Sequence, residues 1–201
     1  AAKQLVSLSD VAVDMPAGPS EVAIIADSSS EPAFIAADLL SQAEHGPDSQ
    51  VLLVLRGNSI LPEIEKELQK QLERLPRRDI AEKALANSRI VLLEDDDQII
   101  SLINQYAPEH LIIATGNYSA LAPAITHAGS VFLGNFSPES AGDYASGTNH
   151  TLPTNGWARA FSGVNIDSFI RKITFQEITP TGLRNLGPVV EIMAETEKLE
   201  A

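Results

Sequence analysis

The sequence predicts an α/β protein, a mostly parallel sheet flanked by helices with a small C-terminal helical tail. Short apolar runs alternate with longer segments of helical period, which is the signature of successive βαβ units. Hydrophobic residues make up 44% of the 201-residue chain and charged residues 20%, enough apolar material for one large domain with an appendage. After Gly134 the alternation stops, and a long stretch rich in Gly, Ser, Pro, Asn and Thr follows.

The elements follow in order. Val22 to Ala26 (VAIIA) is a buried strand. A helix from Pro32 to His45 carries Phe34, Ile35, Leu39 and Leu40 and stops at Gly46-Pro47. Val51 to Leu55 (VLLVL) is the second strand. Charged amphipathic helices span Pro62 to Leu75 and Asp79 to Asn87, and Arg89 to Leu93 is the third strand. Asp96 to Tyr106 places Ile99, Ile100 and Ile103 on one helical face and ends before Pro108, which disfavours helix in the residue preceding it. His110 to Ala114 is the fourth strand, Tyr118 to His127 a helix, and Val131 to Leu133 the fifth strand. From Asn135 to Gly163 there is little periodicity over a length unusual for a connector, and the composition argues for function rather than disorder. The remainder predicts a short helix near Asn165, a strand over Ile173 to Ile178 and an acidic helix from Leu183 onward. The division expected is thus an α/β body over 1–163 and a mainly helical tail over 164–201, suited to contact another subunit.

Composition excludes several function classes. With 14 basic against 27 acidic residues the formal net charge is -13, which repels a phosphate backbone and argues against nucleic acid as a partner. There is no cysteine, so disulfides, thiolate metal sites and cysteine nucleophiles are excluded together, and any metal is held by N and O donors. No apolar run approaches the roughly 18 to 20 residues of a membrane span, so the expectation is a cytoplasmic protein without a membrane partner. Neither GxGxxG nor GxxxxGK[ST] is present, and no repeat or low-complexity tract is found.

The polar clusters each admit two readings. Gln42, Glu44 and His45 close the first helix; they cap it, or Gln42 and His45, three apart and so on one face, hold a metal. Glu109 and His110 form an exposed junction pair, or a general acid and base fixed between Pro108 and the apolar Leu111-Ile112-Ile113. Asp143 and His150 satisfy turns in the Gly-rich loop, or bring a carboxylate and an imidazole to a hard or borderline cation. His127 is a helix-surface histidine.

Four words decide among these. Pro16-Ala17-Gly18-Pro19-Ser20-Glu21, the run from Asp38 to Ser49 (DLLSQAEHGPDS), Tyr106 to Leu111 (YAPEHL) and the run from Ala128 to Pro153 together resemble the histidinol dehydrogenase family. They cover most of the chain in the right order. The resemblance implies an NAD-dependent four-electron oxidation of L-histidinol, through an enzyme-held aldehyde, to L-histidine in histidine biosynthesis. It matches Gln42, His45 and Asp143 to the family's zinc ligands and Glu109 and His110 to its catalytic pair. In that family His110 would accept the alcohol proton as hydride leaves, and Glu109 would activate the water that hydrates the aldehyde. Ser20, His150 and Glu197 match positions that contact substrate, and one zinc per site would hold the imidazole and amine of histidinol.

The resemblance also implies a partial chain. Family members are roughly twice as long, so this sequence corresponds to the C-terminal half, with the cofactor domain and part of a Rossmann-like sheet supplied by the other half; none of its residues is expected to bind NAD. The family tail ends E-x-L-x-A-H, with the histidine a zinc ligand donated across a homodimer by tail exchange, and Glu197 to Ala201 (EKLEA) stops one residue short of it. Two alternatives stand beside the dehydrogenase: a ligand-binding or dimerisation module without activity of its own, because hydride transfer needs a bound nicotinamide, and a zinc hydrolase using Glu109 to activate water, against which the lack of HExxH counts. A plant homologue would place the protein in plastids rather than cytoplasm.

Overall fold

Strand β1 (Glu21–Ala26) is buried along its whole length, and its residues serve two cores in alternation. Val22, Ile24 and Ala26 face one side of the sheet, and Ala23 and Ile25 the other. A strand buried on both faces needs a continuous apolar run, which the VAIIA composition alone does not distinguish from a short helix; its length and branched side chains favour the strand. The computed structural model describes residues 2–9, 13–16 and 18–199, opening with a short helix α1 (Ala2–Val6). Ala17 of the PAGPSE word and Glu200 and Ala201 of the tail word lie outside the described residues.

After β1 come α2 (Pro32–Ala43), β2 (Gln50–Arg56), α3 (Leu61–Leu72), α4 (Arg78–Ala86), β3 (Arg89–Leu93), α5 (Asp96–Tyr106), β4 (His110–Ile113), α6 (Tyr118–Leu121), β5 (Ser130–Leu133), α7 (Glu139–Tyr144) and α8 (Pro180–Thr196). All ladders are parallel and the strand order is β3-β2-β1-β4-β5, so the chain reverses its direction of sheet growth between β1 and β4. That is the doubly wound, Rossmann-like order. Helices α2, α3 and α4 cover the face bearing Val22, Ile24, Leu53 and Ile112; α5 and α6 cover the face bearing Ile25, Val54, Leu111 and Ile113. Helix α5 starts on Asp95, whose carboxylate accepts the backbone N–H groups of Asp97 and Gln98, and ends at Ala107 in the left-handed region, immediately before Pro108.

Three expectations need correction. The helix predicted over Tyr118 to His127 stops at Leu121 and tightens into a 3₁₀ turn at Ala122–Ala124, because Pro123 has no N–H to continue the α pattern. The long loop after β5 holds a further helix, α7, and a 3₁₀ turn at Trp157–Arg159. No strand forms over Ile173 to Ile178 among the described residues; those apolar side chains have no neighbouring strand to ladder with and stand exposed.

The chain divides into two compact units, Ala1–Ser168 and Phe169–Ala201. The second consists of an extended segment and α8, whose Leu183, Leu186, Val190 and Met193 recur at helical spacing and are exposed. Among the described residues no helix is long and apolar enough to cross a membrane.

Candidate active site

His110 opens β4 in the same alternating row as Ile112, so its ring turns toward the face covered by α2. There it stacks on Phe132 with ring centroids 6.2 Å apart. Glu109 sits one residue earlier, and both side chains are buried. The exposed-junction reading of this pair is therefore excluded. The local geometry is set by β1: the backbone N–H of Glu21 donates to Glu109 Oε2 at 3.0 Å, and the carbonyl of Glu21 lies 3.2 Å from His110 Nδ1. A carbonyl only accepts, so Nδ1 carries the proton and Nε2 is the free, basic nitrogen. Nε2 is buried without a hydrogen-bond partner, 3.6 Å from Asp143 Oδ1.

Helix α7 supplies the acidic side of the cluster. Glu139 and Asp143 are one helical turn apart and so share a face. Glu139 Oε1 lies 3.9 Å from His110 Nδ1, and His110, Glu139 and Asp143 can each offer one atom to a single ion. Gly142 allows α7 to lie against Phe132, since a β-carbon there would collide with the ring. Sequence reasoning missed Glu139; the signal was the Pro138-Glu139 helix start with an acid four residues on.

The third side is the C-terminal end of α2. Asp38 accepts a hydrogen bond from the backbone N–H of Glu139, which ties α2 to α7, and Gln42 lies one turn further along the same face. Both amide atoms of Gln42 are fully buried and unpartnered, an arrangement that costs free energy unless something else satisfies them. His45 follows the helix in the turn, its N–H bonded to the Gln42 carbonyl, exposed but close enough for its charge to act on His110. The helix ends at Ala43, two residues before the predicted stop, so Gln42 and His45 approach the site from a helix and a turn rather than from one helical face. Ser20 donates a hydrogen bond to Glu109. His150 is exposed in the loop after α7 and makes no hydrogen bond or ion pair among the described residues; Glu197 caps α8 in the second unit.

This cluster lies at the amino ends of β1 and β4, whereas ligands of open α/β sheets usually gather at the carboxyl ends. In this chain the carboxyl-end crevice between β1 and β4 is closed: Ser30 Oγ donates to the Ala114 carbonyl and Gly116 N–H to Asp27. The amino edge receives the C-terminus of α2 instead, whose unpaired carbonyls favour a cation.

Burial dominates the electrostatics. It raises Glu109 to about 7, with the negative charges of Glu21 and Asp143 adding to the effect and the Glu21 N–H and Ser20 hydrogen bonds opposing it. Burial raises Glu139 to about 9, with Asp143, Asp38 and Glu109 adding, and Asp38 to about 6. His110 is lowered by burial, against the Glu21 carbonyl and Asp143, so its ring is neutral near pH 7. These shifts fix a pH dependence for the metal-free protein. The unfolded chain releases the carboxyl protons near the ordinary 3.8 and 4.5, while the folded chain retains them until about 6, 7 and 9. The stability these groups contribute is full below the unfolded values and is lost as pH rises through the folded ones. The melting temperature of the metal-free protein is expected to fall between pH 5 and pH 9, and Glu139→Gln to flatten the upper part of that fall. Parallel melting curves for the two proteins would disprove the Glu139 contribution.

A profile of the histidinol dehydrogenase family matches residues 1–201. The chain belongs to that family. It is 64% identical over its whole length to a histidinol dehydrogenase of Bacteroides fragilis (strain YCH46), covering 47% of that protein, and 56% identical to the chloroplastic histidinol dehydrogenase of Arabidopsis thaliana, covering 44% of it. The crystal structure of histidinol dehydrogenase from Elizabethkingia anophelis superposes with a TM-score of 0.94 at 58% identity, over 98% of this chain and 46% of that one. The chain thus spans about half the length of these histidinol dehydrogenases, as the four sequence words imply. Membership leaves the zinc-hydrolase reading without support.

Proposed function

We propose that the full-length protein oxidises L-histidinol to L-histidine with NAD and zinc, and that this chain supplies the acid/base pair and most of the metal-holding side chains. The observation that carries this reading is His110: its Nδ1–H is committed to the Glu21 carbonyl, leaving a neutral, buried Nε2 with no partner beside a carboxyl poised near neutrality. A neutral base with a free nitrogen to receive the hydroxyl proton is what alcohol oxidation requires.

Zinc and NAD, when bound, supply respectively an anchor for the imidazole and amine of histidinol and an acceptor for hydride. In the first oxidation His110 Nε2 takes the hydroxyl proton as the carbon loses hydride. Glu109, ionised in part near pH 7, would take a proton from the water as its oxygen adds to the aldehyde carbon, while His110 returns the proton gained in the first oxidation to the former carbonyl oxygen, giving the hydrate. His110, having released its proton, takes a second hydroxyl proton in the oxidation of that hydrate to the carboxylate. Ser20 orients Glu109 by its hydrogen bond and would meet substrate at the same edge.

The donors fit zinc. Gln42 Oε1 is a buried oxygen without a partner, Asp143 is an anionic oxygen on the facing helix, and His45 adds a nitrogen from the turn; oxygen and imidazole donors suit this borderline cation. Among His110, Glu139 and Asp143, only Asp143 belongs to this set. Glu139 faces Nδ1, which is already committed, and holds its proton to about 9. Asp143→Ala is therefore expected to lose zinc on dialysis against a chelator, whereas Glu139→Gln keeps it; full zinc in the Asp143 variant would sink the ligand assignment. The exposed apolar row of α8 supports a tail that packs on a second subunit, where Glu197 would meet the partner's substrate. Histidinol-dependent NADH formation by the full-length protein tests the whole reading, and its absence would refute it. A cytoplasmic setting, or plastids in a plant, accords with this chemistry.

A further inference from the structure

We propose that Glu21 is a positioning residue that holds both members of the Glu109–His110 pair through its backbone, and that its carboxylate is the anchor that keeps that backbone in place. The proposal rests on the acid/base roles proposed above. The two peptide groups of Glu21 are divided between the pair: its N–H donates to Glu109 Oε2 at 3.0 Å, and its carbonyl accepts from His110 Nδ1 at 3.2 Å. One residue thereby orients the carboxylate and selects the tautomer of the imidazole. Pairing with β2 holds Glu21 opposite Gln50, but on the side of β4 the register begins only at Val22 opposite His110, so toward the pair Glu21 lies beyond the first ladder residue.

The side chain supplies the missing constraint. Glu21 is buried, and its Oε1 accepts the backbone N–H of Asn155 at 3.0 Å, with the N–H of Gly156 also bonded to the carboxylate. Asn155 and Gly156 both have positive φ, 54° and 72°, so two successive N–H groups converge in an anion-holding nest. The turn is pinned by Arg159, whose guanidinium donates to the Gln105 carbonyl at 2.5 Å. Glu21 Oε2 lies 3.4 Å from the Tyr106 hydroxyl, which in turn donates to Gln50 Oε1 at 2.8 Å. A left-handed conformation at Asn155, costly for most residues, is thus maintained at a turn whose nest faces a carboxylate that also accepts the backbone N–H of Glu109, so the side chain grips the main chain of the pair and not its reacting groups. The Glu21 side chain is not placed to react; it acts through the backbone that carries the pair.

The test compares Glu21→Ala, Glu21→Gln and Gly156→Ala in the full-length protein. Glu21→Ala is expected to lower kcat by ~10²-fold, the usual consequence of a displacement near 1 Å at reacting groups. KM for histidinol is expected to stay within about threefold and zinc content to stay unchanged. Glu21→Gln keeps an acceptor for the nest and recovers kcat to within about fivefold of the parent protein. The ring nitrogens of [15N]histidine-labelled protein report the tautomer without reference to turnover: Nδ1–H for His110 in the parent and in Glu21→Gln, a mixture in Glu21→Ala. Should Glu21→Ala not fold, Gly156→Ala, which strains the nest at a position remote from the pair, is expected to lower kcat about tenfold with the same unchanged KM. Parental kcat in Glu21→Ala, or in Gly156→Ala where Glu21→Ala does not fold, would overturn the proposal, as would equal loss in Glu21→Ala and Glu21→Gln. If the parent protein fails to oxidise histidinol, the dehydrogenase reading falls, and the tautomer measurement alone decides the role of Glu21.

Discussion

His110→Asn in the full-length protein is expected to lower kcat for histidinol oxidation by ~10²-fold or more while KM changes little. The substitution removes the buried Nε2 that has no partner in the structure and leaves the neighbouring acids in place. Asparagine has a donor to replace Nδ1–H toward the Glu21 carbonyl, so the junction keeps its anchor; it has no group able to take a proton near pH 7. Loss of kcat with retained KM follows if the nitrogen acts only when the hydroxyl proton moves. Glu109→Gln should also lower kcat, but by acting on the aldehyde stage: hydration slows, while single-turnover oxidation of added aldehyde hydrate is spared. Unchanged kcat in His110→Asn would remove the acid/base assignment, and equal damage to both half-reactions by Glu109→Gln would remove its separate role.

Why Glu109 and His110 could be read in the sequence, and their supports could not, has a physical basis. A proline followed by two titratable residues and an apolar run fixes a junction locally, within a handful of residues, and periodicity locates it at the start of β4. The strands themselves were legible for the same reason, since β1, β2 and β4 are apolar on both faces and bounded by polar residues. Glu21 gains its meaning from partners 88 and 134 positions away, at Glu109 and Asn155, and no local pattern encodes such a pairing. Glu139 was hidden because α7 is only 6 residues long, too short for a hydrophobic period, and is helical because it packs on α2 and Phe132. The metal-ligand set at Gln42 and His45 came from family resemblance; the residues alone favoured capping, and the buried unpartnered amide of Gln42 is the structural observation that favours a ligand. The side of the sheet on which the site forms was also not legible, because closure of the carboxyl-end crevice depends on Ser30 and Asp27 reaching across to the end of β4.

Gly129→Ala is expected to damage stability and activity together, which separates it from the substitutions at the pair. Gly129 precedes β5, and its N–H donates to the Pro108 carbonyl while the next residue's N–H donates to the Glu109 carbonyl. A β-carbon at position 129 would stand 2.5 Å from that Glu109 oxygen and 3.1 Å from Leu152 Cβ. The first neighbour is backbone and cannot rotate aside; the second is itself buried. Its φ is not positive, so the penalty is steric rather than conformational. Relief requires β4 and β5 to separate at their amino ends, where Glu109 and His110 are held. Overpacking of this kind costs about 3 kcal/mol. For a protein of this size that corresponds to a fall in melting temperature of roughly 6 to 12 °C. Movement of the Glu109 carbonyl also shifts the pair relative to Glu21, so kcat should fall by ~10²-fold even at temperatures where the variant is fully folded. His110→Asn, in contrast, should lower kcat without a comparable fall in melting temperature. A Gly129→Ala protein that melts within about 2 °C of the parent would show that the β4–β5 junction yields readily, and the rigidity assigned to the catalytic pair would then have to come from β1 alone.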